Sequence, residues 1–581
     1  MILKKLDINN FRNFNSISIE LDNKNVVFGM NDVGKTNFLY ALRFLLDKDI
    51  RKNGFMPTDY HRHNTKEKIQ ITLTVDLSDF YESEDTKKFV SETRDGGVRT
   101  SDRGDIFYIR VEGEYNEEEV FGEPIMKWGD NLEDLKDMPF RGTSYSIDNI
   151  FKLVYINPLV DLQKVFEKNR RYIFDENSSD KEDKKLIDKI NNLTKEVNDQ
   201  IGNMSIINNF QKDITDEYKK LNNEELSIEI KSEMAINGFF SDLMPYIKRE
   251  NDDNYYPTSG DGRRKILSYS LFNYINKKKY DNKIVIYLLE EPENNLHRSM
   301  QISLSKQLFD DDTYKYLFVS THSSQILYEM DKAMLIRIHS KEKIECNSYL
   351  YKIEPNYKTD KKKLNREFSN ALFYENVLLI EGPSERILFE KILDEVNPDY
   401  EQQGGYILQV SGTYFKTYIR ALKGLDIKVI VKTDNDLRGK KGNIQEYELL
   451  GINRCCDLIN MDKIENIIMP FNSETKREEK LTQLKSKKKE LYKEYESLIN
   501  QFKQNNIYLS EIDLENDLFS IIGPKMSKYL QKEEHKVVSY LQDRKLFNMV
   551  ELIEHLTFED CEAVYEDEKF KCLREMVRFD G

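Results

Sequence analysis

The sequence predicts an α/β protein in two parts, a head split by a helical insertion and then a second α/β domain at the carboxyl end. Three observations predict it. Gly29-Met30-Asn31-Asp32-Val33-Gly34-Lys35-Thr36 fits G-x-x-x-x-G-K-[ST] between an apolar run and an amphipathic stretch. A later apolar run, Ile284 to Leu289, ends in Glu290-Glu291. A new alternation of strands and helices begins near Val377, and its strands end in carboxylates.

The elements follow in order. Ile2-Leu3 and Leu6-Ile8 read as a strand, and Ile17, Ile19 and Leu21 alternate with polar residues as the next. Asn25 to Met30 is a short buried strand that ends at the glycine turn. The helix after it runs from Lys35 to Leu46, with Phe38, Leu39, Leu42, Phe44 and Leu45 as apolar positions. Ile69, Ile71, Leu73, Val75 and Leu77 alternate as a half-buried strand, and Phe107, Ile109 and Val111 repeat the pattern. Phe151 to Ile156 is a further strand. From about Asp161 to Met234 the chain turns polar and helical, rich in Lys and Asn. Leu186, Ile190, Leu193, Val197, Ile201 and Met204 step by three or four residues, which puts them on one helix face. That face either packs on its own domain or pairs with another subunit. The second reading is favoured, because the strands on either side belong to one sheet.

Strands resume at Ile284 to Leu289, Leu317 to Ser320 and Met334 to Ile338. The second series is Val377 to Ile380, Tyr406 to Val410, Ile427 to Val431 and Ile507 to Leu509. Glu474 to Glu496, with lysine and glutamate blocks, reads as a solvated helix, with a DNA-touching helix as the alternative. The expected domains are 1–160 and 241–345 for the head, 161–240 for the insertion and 346–581 for the second domain.

Composition bounds the possibilities. The chain has 581 residues, 88 Lys or Arg against 103 Asp or Glu, and a net charge of −15. At roughly 150 residues per domain this is about four units. A hydrophobic fraction of 39% supplies folded cores despite 33% charged residues. The acidic balance argues against a coat of basic charge but leaves room for a local basic groove. No apolar run approaches about 18 residues and no leader is evident, so a cytoplasmic protein is expected. The five cysteines have no zinc spacing, so reduced thiols are expected.

The glycine turn carries phosphate chemistry. Its amides and the helix amino terminus suit phosphate oxygens, with Lys35 reaching the β/γ-phosphates and the Thr36 hydroxyl a ligand of Mg²⁺. Asn31, Gly34 and Asn37 complete the cradle. Glu290 would hold the Mg²⁺ through water, and Glu291 would polarise an attacking water. Ser259-Gly260-Asp261-Gly262-Arg263-Arg264-Lys265 could bring a serine and glycine amides to a γ-phosphate, and His322 in Ser320-Thr321-His322-Ser323 could contact the same group.

The carboxyl end carries a different chemistry. Glu381 and Glu385 follow one strand, Asp434-Asn435-Asp436 a second, and Asp513 and Glu515 a third. Strand ends on one edge of a parallel sheet converge on a crevice. Carboxylates gathered there repel unless cations lie between them, and an oxygen-only set suits Mg²⁺ or Mn²⁺. Two such ions can clamp the attacking and leaving oxygens of a phosphodiester.

These motifs resemble known families. The head resembles the ABC-type ATPase heads of SMC, RecF and OLD-family proteins, through Asn10-Phe11-Arg12-Asn13-Phe14, Glu291-Pro292-Glu293 with Leu296-His297, and Ser320-Thr321-His322-Ser323. The resemblance implies a dimer in which one head's signature segment completes the other's nucleotide site. Two departures, Glu290 where an Asp is usual and Ser-Gly-Asp-Gly as signature, bear on hydrolysis rate rather than binding. The second domain resembles a Toprim domain. The resemblance implies catalytic roles for Glu381, Asp434 and Asp436. It implies further metal ligation by Glu385, Asp513 and Glu515, with two metal ions, and a transition-state lysine at Lys545. Together they resemble the OLD family. Phe28-Gly29-Met30-Asn31-Asp32, Tyr256-Pro257-Thr258-Ser259-Gly260-Asp261-Gly262-Arg263-Arg264-Lys265, Tyr508 to Asp517 and Lys545 to Met549 resemble more narrowly the nuclease subunits of Gabija-type anti-phage systems. That resemblance implies a nucleotide-regulated endonuclease acting on double-stranded DNA, as a dimer or dimer of dimers, with a helicase-like partner. Rival readings are an ATP-driven DNA remodeller and a nucleotide-gated scaffold.

Overall fold

The computed structural model describes residues 1–30, 33–95, 105–142, 144–158, 164–166, 168–169, 181–221, 228, 230, 246–248, 255–257, 261–279, 282–339, 345–410, 414–472 and 475–577. The head holds two six-stranded sheets. The first is antiparallel and centres on Ile2–Phe11, Ile69–Asp76, Ile106–Asn116 and Phe121–Gly129. Leu6, Ile8, Ile71, Leu73, Ile109 and Val111 are all buried in one core, as their alternation predicts. Ile69–Asp76, expected to be half-buried, also buries Thr72 and Thr74 on its other face.

The second sheet is parallel apart from one edge. Its order is Phe151–Ile156, Ile284–Glu290, Tyr316–Ser320, Lys24–Phe28, Met334–His339 and Glu345–Leu350. The pairs Glu290↔Ser320 and Ser320↔Val27 put the ends of three strands level. The glycine turn, Glu290-Glu291 and Thr321-His322 therefore leave the same edge. The Lys35–Leu46 helix packs between the two sheets and buries Phe38, Leu39, Leu42 and Leu45. The last strand, Glu345–Leu350, straddles the boundary expected at 345/346, and the head's sheet ends with it at Leu350.

The insertion contributes helices Lys181–Asn203 and Ser205–Leu221. Leu186, Leu193, Val197 and Met204 are exposed there, as are Ile206 and Phe210 on the second helix. The apolar stripe exists, and within this chain those side chains face solvent.

The carboxyl-terminal domain is built on a four-stranded parallel sheet ordered Gly405–Gln409, Asn376–Ile380, Lys428–Thr433, Ile507–Leu509. Its core continues the head's: Val26, Phe28 and Leu289 share one apolar cluster with Phe368, Leu379, Leu408 and Val431. Arg337 in the head's Met334–His339 strand is buried. Its guanidinium donates to the carbonyls of Leu425 at 3.2 Å and Asp426 at 2.9 Å, and pairs with Glu375 at 2.6 Å. All five cysteines are free thiols. Among the described residues no helix is long and apolar enough to cross a membrane.

Candidate functional site

The head's site is assembled by close backbone approach. Gly34 has φ +106° and caps the Lys35–Leu46 helix. A Cβ there would meet the Asn13 amide at 1.8 Å, so only glycine fits. The Asn13 amide donates to the Val33 carbonyl at 2.9 Å and its carbonyl accepts from Asn37 at 2.9 Å. Arg12 donates to Asn37 at 3.0 Å and to Asp59 at 2.8 Å, and its guanidinium lies 4.3 Å from the Tyr40 ring centre. Asn13 and Arg12 thus brace the cradle, which their place in a short polar turn did not announce. Lys35 is buried, and its ammonium donates to the carbonyls of Gly29 at 3.0 Å and Met30 at 2.5 Å.

The acids sit where the strand order requires. The Thr36 hydroxyl donates to Glu290, whose other oxygen accepts from the Tyr155 hydroxyl. His322 Nε2 lies 3.2 Å from Glu291 Oε1. Burial, with help from Lys35, holds the His322 pKa below its usual value against the pull of Glu291, so the ring is neutral at pH 7. Glu293 is buried behind them, accepting from the Thr321 hydroxyl and the His322 amide, each at 2.8 Å. Lys265 enters from the other side and donates to the Glu291 carbonyl at 3.1 Å. Burial lowers its pKa to about 8, although Glu293 and Glu291 oppose the shift. The structure brings Gly34, Lys35, Thr36, Asn37, Glu290, Glu291 and His322 together. Asn31, Ser259 and Gly260 lie outside the described residues.

The second site lies at the carboxyl edge of the four-stranded sheet. Glu381 accepts from the Thr433 hydroxyl and Arg454, and from the Asp434 amide at 3.2 Å. Glu385 caps the Pro383–Val396 helix, accepting the amides of Glu381 at 2.6 Å and Gly382 at 2.9 Å through one oxygen. Burial, reinforced by Glu381, raises its pKa to about 7. Burial and the neighbouring Glu385, Glu381 and Glu515 push Asp434 well above the carboxylate range, and its Oδ1 accepts the Leu514 amide at 3.0 Å. Asp513 caps the Leu514–Tyr529 helix and accepts from Asn516 and Gln542. Glu515 is 1% exposed, and neither of its oxygens has a hydrogen-bond partner among the described residues.

Cations face these acids. Lys545 lies 3.4 Å from Glu515 and 4.0 Å from Asp434. Burial would lower its pKa, but Glu515 and Asp434 outweigh it and raise the value. Lys488 lies 3.4 Å from Asp436, and Arg454 lies 3.9 Å from it. Arg454 went unread in the sequence, and Lys488 reads there only as part of a charged, solvated helix. Arg454 reaches the site because Gly451, one turn earlier, abuts the Asp434–Asp436 turn: a Cβ there would meet the Asp434 carbonyl at 2.4 Å. Lys488 belongs to the Arg477–Glu494 helix, which is mostly solvated as expected but is held to the site by Asn435. That buried amide donates to the Lys488 carbonyl at 3.3 Å and the Glu511 carbonyl at 3.1 Å.

The donor set tests well against a hard divalent cation. It is all oxygen, it gathers acids whose ionisation burial opposes, and Glu515 is buried with both oxygens unsatisfied. Among the described residues no three carboxylates stand as a ready-made cage. Arg454 and Thr433 engage Glu381, while Glu385, Asp434 and Asp513 accept from backbone amides.

Likeness to known proteins agrees with this geometry. Residues 1–144 and 157–327 match an AAA ATPase domain model, and residues 372–436 match the Toprim domain of proteins like the overcoming lysogenization defect protein. The fold and sites define an ATPase head joined to an OLD-like Toprim domain. The chain is 56% identical over 580 residues, all of both chains, to endonuclease GajA of Bacillus cereus strain VD045. It therefore belongs to the GajA family. A second endonuclease GajA, from Bacillus cereus strain HuB5-5, is 20% identical across 90% of this chain and 89% of its own. The Old nuclease of Escherichia phage P2 is 23% identical across 80% of this chain and 82% of its own.

Proposed function

We propose that this chain is a divalent-cation-dependent DNA endonuclease under nucleotide control, serving as the nuclease subunit of a Gabija-type anti-phage defence system. The observation that carries the reading is the gathering of Glu381, Asp434, Asp436 and Glu515 at the ends of parallel strands, with Lys545 beside them. The 56% identity to endonuclease GajA supports the same activity.

Glu381, Asp434, Asp436, Asp513 and Glu515 would hold two Mg²⁺ or Mn²⁺ ions, with Glu385 contributing the oxygen it does not use as a cap. Such ions supply Lewis-acid stabilisation of phosphodiester oxygens. Lys545 presents its ammonium to the negative charge that grows on the phosphate as the bond breaks. Arg454 and Lys488 hold Glu381 and Asp436 apart from the other acids and offset their charge. In the head, Lys35, Thr36 and Glu290 would hold ATP with Mg²⁺, together with Asn31, Asn37, Ser259 and Gly260. His322 and Glu291 would face the γ-phosphate. Double-stranded DNA is the substrate, a helicase-like subunit the partner, and a dimer or dimer of dimers the working form. The exposed stripe of Leu186, Leu193, Val197 and Met204 supports self-association. The test is supercoiled plasmid with Mg²⁺ or Mn²⁺. Wild type converts it to nicked or linear DNA, and Glu381→Ala does not; equal conversion by both would refute the site.

A further inference from the structure

A cleft of about 620 Å³ opens along the free edge of the carboxyl-terminal sheet. One wall is the Gly405–Gln409 strand, which ends the strand order and pairs on one side only among the described residues. The other is the Lys361–Ala371 helix, which buries Leu364, Phe368 and Ala371 and turns Lys362, Lys363 and Arg366 outward. Arg386 also lines the cleft. Four cations thus face a single lining carboxylate, Glu367, on a chain whose net charge is −15. Arg386 is paired with Glu390 at 2.7 Å. Among the described residues no carboxylate lies within ion-pair distance of Lys362, Lys363 or Arg366, so their charge is available to a ligand.

The cleft adjoins the carboxylates. Gln409, at its rim, pairs with Ile380, and the Val410 amide donates to the Ile380 carbonyl at 2.8 Å. Glu381 is the next residue after Ile380, and adjacent strands lie about 4.8 Å apart. Arg386 directly follows Glu385. A polyanion held at the carboxylate crevice and continuing over the end of the outer strand enters the cleft. Lys362 and Arg366 are one helical turn apart, about 6 Å along the axis, and so can meet successive charges on one backbone.

We infer that this cleft binds the phosphodiester backbone of duplex DNA held at the carboxylate site, through Lys362, Lys363 and Arg366. The inference rests on the nuclease reading above. Exposed cations gain from phosphate contact, because each contact releases condensed counterions from the DNA.

The test measures anisotropy of a fluorescent DNA duplex with full-length protein, in an Asp434→Ala background with Mg²⁺ so that the DNA stays intact. Adding Lys362→Gln, Lys363→Gln and Arg366→Gln should weaken binding about 10-fold or more at about 0.15 M salt and make the log–log salt slope shallower by about 2 to 3. Replacing Lys362 and Lys363 with Arg should keep the parent affinity and slope. Affinity and slope unchanged in the triple-Gln protein would overturn the cleft while leaving the nuclease reading intact. A parent that binds no duplex at all would overturn both. A triple-Gln protein that also loses ATP binding would likewise overturn the assignment, since the loss would then be one of folding.

Discussion

Glu515 sits in the crevice with a buried carboxyl group that faces Lys545 at 3.4 Å. Removing that lysine leaves an uncompensated acid and strips positive charge from the phosphate's side. Lys545→Ala is expected to lower cleavage about 10²- to 10³-fold, the usual effect of losing one charge-stabilising donor. Plasmid cleavage rates check it, and Lys545→Arg should recover part of the loss. Lys265 offers a pH test in the head. Its folded pKa, about 8, lies below the ordinary value of 10.5, so the folded protein binds fewer protons than the unfolded chain between those limits. Stability therefore rises with pH from about 8 to 10.5 on its account, and the cost of its buried charge is fully present below 8. Lys265→Met is expected to raise the melting temperature at pH 7 and flatten its pH dependence above 8; an unchanged slope would count against the burial argument. The acids at both sites were legible because they end apolar runs. Arg454 was not: it reaches Glu381 through the tight approach of Gly451 to a turn 15 residues earlier, a contact no local pattern encodes.

At the scale of elements, strand positions in both parallel sheets follow the apolar runs closely, since strands buried on both faces need continuous apolar sequence. What the runs do not encode is how the sheets meet. Phe28, at the end of the strand before the glycine turn, packs edge-on against Phe373 at 6.0 Å, just before the first Toprim strand. Arg337 ties the next strand of the head to Glu375, Leu425 and Asp426. These contacts join the strand bearing the phosphate cradle to the sheet bearing the carboxylates. Arg337→Ala leaves Glu375 and the carbonyls of Leu425, Asp426 and Tyr374 without their buried donor and is expected to cost about 1 to 3 kcal/mol. The denaturant midpoint reads that loss. The same variant should weaken any ATP effect on cleavage more than it lowers cleavage without ATP. Helix phase was legible for Lys181–Asn203 as an apolar stripe, but not for Arg477–Glu494. There, the buried Asn435 amide rather than apolar spacing turns Lys488 to the site.

For the whole molecule, the net charge of −15 says little about a nucleic-acid partner. Acids converge at the Toprim crevice, where bound metal ions would offset them, while Lys362, Lys363, Arg366 and Arg386 line the adjoining cleft. Apolar residues of both domains share one core, and the proposed nucleotide control would act through it. Lys35→Ala is expected to abolish the response of cleavage to ATP while leaving the Toprim acids in place. The most direct measurement is conversion of supercoiled plasmid with Mg²⁺ or Mn²⁺, with and without ATP, by wild type, Asp434→Ala and Lys35→Ala. The account predicts that wild type cleaves at a rate ATP changes, that Asp434→Ala does not cleave, and that Lys35→Ala cleaves at a rate ATP does not change. Cleavage by Asp434→Ala at the wild-type rate, or an ATP response intact in Lys35→Ala, would contradict it.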